Sequence, residues 1–308
     1  MQTERSVIAC AIVKDEPRLD DTIANVRAAI GPALAGVLIV DTGSAQPYDH
    51  ARSADLFKQR PFDDFASARN ACLDDAETFA IARGATWLFM FSGGAELSGA
   101  FRAPDADRNA PALCHTERLG VTTFAKCTTV RVGSGLRYAG LTHEVIDVPG
   151  GVEALPHCGL TVDYTADWNP EKKRARWLLD VELLKSDYTP RGRFYLAQSY
   201  DCLHRFPEAF AYYAERLDMK GYEPERLQAA VNAVRVAPTM ALADWSAFSA
   251  RATSADAILE LAERHLRAGD RPRAVLLAQD ALDALASGLR PLFPRADLRE
   301  RCKEILAK

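Results

Sequence analysis

The chain has 308 residues, 48% of them hydrophobic and 26% charged, and a formal net charge of -4. That length suits two ordinary domains, and the charge leaves no global basic field of the kind that advertises nucleic acid or an anionic membrane. No apolar run approaches the ~20 residues needed to span a bilayer, and the start, with Glu4 followed by Lys14 and Asp15, does not read as a signal peptide. The seven cysteines are scattered without a CxxC pair, which points to reduced thiols in a cytoplasmic protein and away from zinc or a disulfide framework.

In chain order, Val7 to Val13 is a continuous apolar run rich in β-branched residues, as a strand buried on both faces requires. Leu19, Ile23, Val26 and Ile30 recur at helical spacing. Val37 to Val40 reads as a second buried strand, ending in Asp41-Thr42-Gly43-Ser44. A helix is expected from Ala66 to Ala82, and Asp63 and Asp64 before it read as caps. Trp87 to Phe91 is another buried strand. From Ala112 to Val148 the pattern turns β-rich, with strands expected over Val121 to Phe124 and Thr128 to Val132.

This β-α-β order predicts an α/β domain with a mainly parallel sheet. In such sheets ligands bind beyond the carboxyl ends of the strands. Lys14 to Glu16, Asp41 to Ser44 and Ser92 to Glu96 all follow strands, so they fall where a site would form.

After about Glu171 helical periodicity takes over. Leu196-Ala197, Tyr200, Ala209 and Tyr213 correspond in offset to Leu261-Ala262, His265, Ala274 and Ala278. These are the offsets of tetratricopeptide (TPR) repeats, in which small residues let two antiparallel helices approach closely. A poorer helical pair is expected over roughly Glu223 to Ser249. The predicted architecture is an α/β domain over 1–170 and an all-α, TPR-like domain over 171–308.

IVKDE after the first strand, VDTGS after the second, FDDFASARN before a helix, LRYAGLTHEVI and FYLAQSY occur in that order. The set resembles family 2 glycosyltransferases of the Rossmann-like GT-A fold, and within them a bacterial and phage subgroup with C-terminal TPR-like repeats. The resemblance spans nearly the whole chain. It implies an inverting transfer from a nucleotide diphosphate sugar, commonly UDP-linked, with Mg²⁺ or Mn²⁺ holding the diphosphate. Asp41 matches the acidic residue that contacts the base or ribose; an Asx-turn is its structural alternative. Lys14 and Glu16 take the place of the family's VKNE segment, and Arg69 matches an arginine near the diphosphate. Without the resemblance these three would read as surface charges.

The family's Asp-x-Asp metal motif is missing. Ser92, Gly93 and Gly94 stand in its place, so the donor-side candidates there are Ser92 and Gly94, and Glu96 in the next turn is the nearest carboxylate. Asp105 and Asp107 form a later Asp-Ala-Asp, which reads as a solvated loop. On the acceptor side His143-Glu144 sits in the family's G-x-x-H-E context. That context implies His143 on the metal or diphosphate, and Glu144 as the base that takes the acceptor's proton. Adjacent side chains on one extended strand point to opposite faces, so both can face a site only on a turn. His157 matches a second family histidine, expected to be structural.

Two function classes follow. One is an enzyme acting on a saccharide, peptide or modified nucleobase, with DNA or protein along the repeats as a further acceptor. The other is a catalytically silent binding protein that holds a nucleotide sugar or a protein partner. The lost aspartates favour the second; His143, Glu144 and Arg69 favour the first. Lys172, Lys173, Arg174 and Arg176 read as an exposed helix face or a basic strip for a phosphate backbone.

Overall fold

The computed structural model describes residues 6–45, 53–102, 109–119, 122–163, 170–237, 254–287 and 295–307, with only the backbone at Leu119, Thr122, Glu153 and Arg295. The chain divides into two compact units, Met1–Trp168 and Asn169–Lys308. Asp105, Asp107, Trp168 and the second half of the predicted Glu223 to Ser249 pair lie outside the described residues.

The first unit runs β1 (Val7–Val13), α1 (Leu19–Ile30), β2 (Leu34–Asp41), β3 (Leu56–Gln59), α2 (Phe65–Arg83), β4 (Trp87–Met90), β5 (Glu96–Gly99), β6 (Ala112–Leu119), β7 (Thr122–Arg131), β8 (Tyr138–Ala139), β9 (Val145–Ile146) and β10 (His157–Asp163). Eight strands form one sheet in the order β3-β2-β1-β4-β7-β6-β10-β5. β3, β2, β1 and β4 are parallel, with α1 crossing from β1 to β2 and α2 from β3 to β4. β7 is antiparallel to β4 and β6, β10 is parallel to β6, and β5 is antiparallel to β10. The mainly parallel sheet of the prediction therefore occupies one half, and a mixed half carries the rest.

Both faces are covered, which is why β1 and β2 are apolar throughout. Val7, Ala9 and Ala11 pack with Leu19, Ile23 and Val26 of α1, while Ile8, Cys10, Leu38 and Val40 pack with Cys72, Leu73 and Ala76 of α2. α2 starts where Asp64 accepts from Ser67 N at 2.8 Å and stops at Gly84, whose φ of 68° needs a residue without a Cβ. Lys58 Nζ and Arg60 Nε each approach Asp75 at 2.7 Å, tying α2 to the end of β3. The Arg60 contact above all holds the Asp75 carboxyl below its ordinary range.

The two strands expected over Val121 to Phe124 and Thr128 to Val132 are one continuous strand, β7. Its partner β6 supplies the missing hydrogen bonds, and a register shift opposite Leu113/Cys114 absorbs the irregular hydrophobic pattern.

The second unit is all helical among its described residues: α3 (Pro170–Leu184), α4 (Pro190–Cys202), α5 (Phe206–Leu217), α6 (Glu223–Val236), α7 (Ala255–Arg267), α8 (Arg271–Ala286) and α9 (Arg295–Ala307). α4 with α5 and α7 with α8 are helical hairpins. Leu196, Ala197, Ala209 and Tyr213 of the first, and Leu261, Ala262, Ala274 and Ala278 of the second, belong to one core. No described helix is long and apolar enough to cross a membrane.

Candidate functional site at the carboxyl ends of the parallel strands

β1 and β2 end side by side, with Val13 opposite Asp41. Thr42 donates to Val13 O through its N–H at 2.9 Å and its hydroxyl at 3.0 Å. Asp41 Oδ1 then accepts from Gly43 N and Ser44 N, both at 2.9 Å, and from Ser44 Oγ at 3.0 Å. Ser44 Oγ also accepts from Asp15 N at 3.0 Å, and Asp15 Oδ1 accepts from Ala45 N at 3.0 Å. Asp15 adopts a φ of 47°, which these bonds hold in place. The two turns are thus one clasped unit.

Asp41 is 1% exposed, and its other oxygen, Oδ2, has no hydrogen-bond partner. A buried carboxylate oxygen without a donor is costly unless something supplies one. The Asx-turn thus uses only Oδ1, and Asp41 is not among the residues that line the cavity at the end of β4. Lys14 is exposed on the adjoining turn, and Glu16, half-buried, accepts from Arg18 N at 3.3 Å.

A cavity opens at the end of β4, on Phe89, Met90, Phe91 and Ser92. Arg69 and Glu144 line it as an ion pair, with Arg69 lying over the Tyr138 ring at 5.3 Å. The Tyr138 hydroxyl is buried without a partner, and burial pushes the phenol far up, so it stays neutral. Arg69 comes from the first turn of α2, and Asn70 beside it brackets Tyr138. Asn70 Oδ1 accepts from Tyr138 N at 2.8 Å, and Asn70 Nδ2 donates to Tyr138 O at 2.9 Å. The RN dipeptide thereby places one cation and locks the strand it faces.

Glu144 and His143 lie on the turn between β8 and β9, not on an extended strand, and His143 has a φ of 50°. Glu144 lines the cavity; His143 is half-buried and is not among the lining residues.

The sequence reading missed the far wall, which β6 and β7 supply. His115, Lys126 and Thr128 line it. Behind them Glu117, 4% exposed, has its Oε2 2.7 Å from Lys126 Nζ and 3.9 Å from His115 Nε2. Thr128 Oγ1 lies 3.4 Å from His115 Nδ1. Burial works to raise the Glu117 carboxyl, but its contacts with His115 and Lys126 outweigh that and hold it below the ordinary range. The only sequence signal was period-2 spacing: His115 and Glu117 on one strand, Lys126 and Thr128 on the next.

The remaining candidates stand apart from this wall. Gly94 has a φ of 74° and donates its N–H to Thr22 Oγ1 at 3.1 Å. Glu96 opens β5 on the surface, 3.4 Å from Arg18 Nη2. His157 accepts from Gly159 N at 2.9 Å and contacts Thr116 Oγ1 at 3.1 Å, a local strand role. Burial pushes Cys127 up to about 12 and Cys158 up to about 11, so neither thiol is an available nucleophile. A divalent cation needs several hard oxygen ligands in one place, and among the described residues no three His, Cys, Asp or Glu side chains assemble to hold one. Ser92, Gly93 and Gly94 do not fit the metal that the resemblance implies.

The chain matches no protein family and no curated protein in the comparisons made. Solved structures similar to the chain include two of one protein. The crystal structure of S. aureus TarS 1-349 in complex with UDP-GlcNAc is 11% identical with a TM-score of 0.36, over 94% of each chain. The crystal structure of S. aureus TarS is 12% identical with a TM-score of 0.36, over 87% of this chain and 54% of that one. Similarity at that level carries no functional argument, which rests on the geometry above.

Proposed function

We propose that the chain is a glycosyltransferase that takes a sugar from a nucleotide diphosphate sugar, UDP-linked, and passes it with inversion to an acceptor hydroxyl. The observation that carries this reading is Asp41: a strand-end carboxylate with one oxygen held by three donors and the other buried without one. An imide N–H of a base or a ribose hydroxyl supplies the missing donor. The motif order given above adds the sugar-transfer chemistry.

In this reading Glu144 takes the proton of the acceptor hydroxyl as that oxygen bonds to the sugar's anomeric carbon. The bond from that carbon to the diphosphate breaks, and the nucleoside diphosphate leaves with the electron pair. Arg69 orients Glu144 through their ion pair. Lys14, Glu16, Ser92 and Gly94 flank the donor, and the helical unit, with its TPR-like hairpins, holds an acceptor or a protein partner.

A second reading has its own observation. With Ser92-Gly93-Gly94 lacking carboxylates, a nucleotide-sugar-binding protein without turnover keeps Asp41 and has no use for Glu144.

Calorimetric titration with UDP tests the common part. UDP is expected to bind, and Asp41→Asn to weaken it by about 10- to 100-fold, the worth of a hydrogen bond to a charged group. Absence of UDP binding to the unmodified chain would end both readings.

A further inference from the structure

In the turn after β4, Gly93 packs against the side chain of Glu16. A Cβ added at Gly93 would meet Glu16 Cγ at 2.7 Å and Glu16 Oε2 at 3.1 Å. An aspartate there would displace Glu16 and set like charges against each other. Glu16 thus occupies the space beside Gly93, where the resemblance expects a metal-binding aspartate.

Cations stand where that charge is wanted. β4 and β7 pair with Trp87 opposite Arg131, Leu88 opposite Val130 and Phe89 opposite Thr129. The next steps along the pair bring Lys126 to the level of the Phe91-Ser92 segment, and Lys126 and Ser92 line the same cavity. Lys126 is half-exposed, whereas its partner Glu117 is buried behind it and does not line the cavity. The pair therefore presents its positive end to the open space. Arg69 is the second cation on the same cavity. A lysine stem loses about 2 kcal/mol of rotamer freedom when it is ordered, and Glu117 meets that cost during folding, before any ligand arrives.

We propose that Lys126, with Arg69, neutralises the diphosphate of the nucleotide donor in place of a divalent cation, so that donor binding needs no metal. The inference rests on the nucleotide-sugar reading. A bound diphosphate sugar carries two negative charges, and a third develops as the bond to the sugar breaks. Side-chain cations meet these through charge-assisted hydrogen bonds in a site already ordered to receive them. Lys126 is then a specificity element for the diphosphate, and Glu117 a positioning residue that acts through it.

The test is titration of the full chain with UDP and with uridine, first in EDTA and then in Mn²⁺. UDP is expected to bind in EDTA, with Mn²⁺ changing its affinity by less than about threefold. Lys126→Met is expected to weaken UDP at least about tenfold while leaving uridine unchanged, and Lys126→Arg to restore most of the loss. The EDTA arm on the unmodified chain stands even if a variant fails to fold. A tenfold or greater gain on adding Mn²⁺, equal losses of UDP and uridine in Lys126→Met, or no loss at all would overturn the proposal. Uridine binding to which the phosphates add nothing overturns this inference alone. If neither ligand binds, the nucleotide reading falls and this inference falls with it.

Discussion

Arg216 in the helical unit and Lys126 in the α/β unit are both cations in well-packed surroundings, yet they face different things. Arg216 is 0% exposed and donates to Met219 O at 3.0 Å and Tyr222 O at 2.9 Å, pairing carbonyls of the segment that joins α5 to α6. Nearby, Asn232 Nδ2 donates to Tyr213 Oη at 3.2 Å, Tyr213 Oη donates to Asp201 Oδ2 at 3.4 Å, and the exposed Arg235 pairs with Asp201, so one polar network joins α4, α5 and α6. Lys126 and Arg69 have carboxylate partners too, but they stand on an open cavity. A buried charge is therefore not a site in itself. What separates the two regions is whether the cation faces the protein's own carbonyls or a space that a ligand can enter.

That contrast can be broken from either side. The largest effect is expected at the cavity: Glu144→Gln should lower turnover about 1,000-fold, roughly 4 kcal/mol of barrier, while the chain still binds UDP. Unaltered turnover in a sugar-transfer assay would remove Glu144 as the base. In the helical unit, Tyr213→Ala should cost about 3 kcal/mol or more of stability by chemical denaturation, since it empties a fully buried ring's place and leaves Asn232 without its acceptor. UDP affinity should be unaffected by it, and a large loss of affinity would show that the helical unit acts on the nucleotide site.

Glu117→Gln sharpens the comparison through pH. The Glu117 carboxyl is depressed in the folded chain, so its stabilisation is present above its unfolded value of about 4.3 and is lost as pH falls through the folded one. The variant should be less stable by about 1–3 kcal/mol at pH 7, and its melting temperature should fall less steeply between pH 5 and 3 than that of the parent chain. Parallel curves would mean that Glu117 makes no net ionic contribution. The smallest effect is expected at Asp64→Ala, about 1 kcal/mol for one lost helix cap, read as a small melting shift with ligand binding unchanged.

Local pattern made one half of the α/β unit legible. β1, β2 and β4 are short apolar runs because both of their faces are covered, and α1 and α2 carry helical spacing, α2 with a cap at Asp64. Asp41, at a strand end, followed from those boundaries together with the motif resemblance, and Arg69, within α2, from the resemblance alone. Edge strands gave no such signal: β3 is LFKQ and β5 is ELSG, neither of them an apolar run. β10 reads HCGLTVD. It carries Gly159 at a φ of 83°, where an added Cβ would come 2.4 Å from Ala100 O. That close approach between chains distant in sequence explains the glycine, and no local rule announces it.

Periodicity and the backbone preferences of single residues were enough to order β1, α1, β2, α2 and β4, to space the helical hairpins and to mark the polar residues at strand ends. Chain folding brings His115, Glu117 and Lys126 together, sets Glu16 in the space beside Gly93, and turns Glu144 rather than His143 to the cavity. Those are distances between residues brought together by strand pairing and by a turn, and such distances exist only once the sheet has formed.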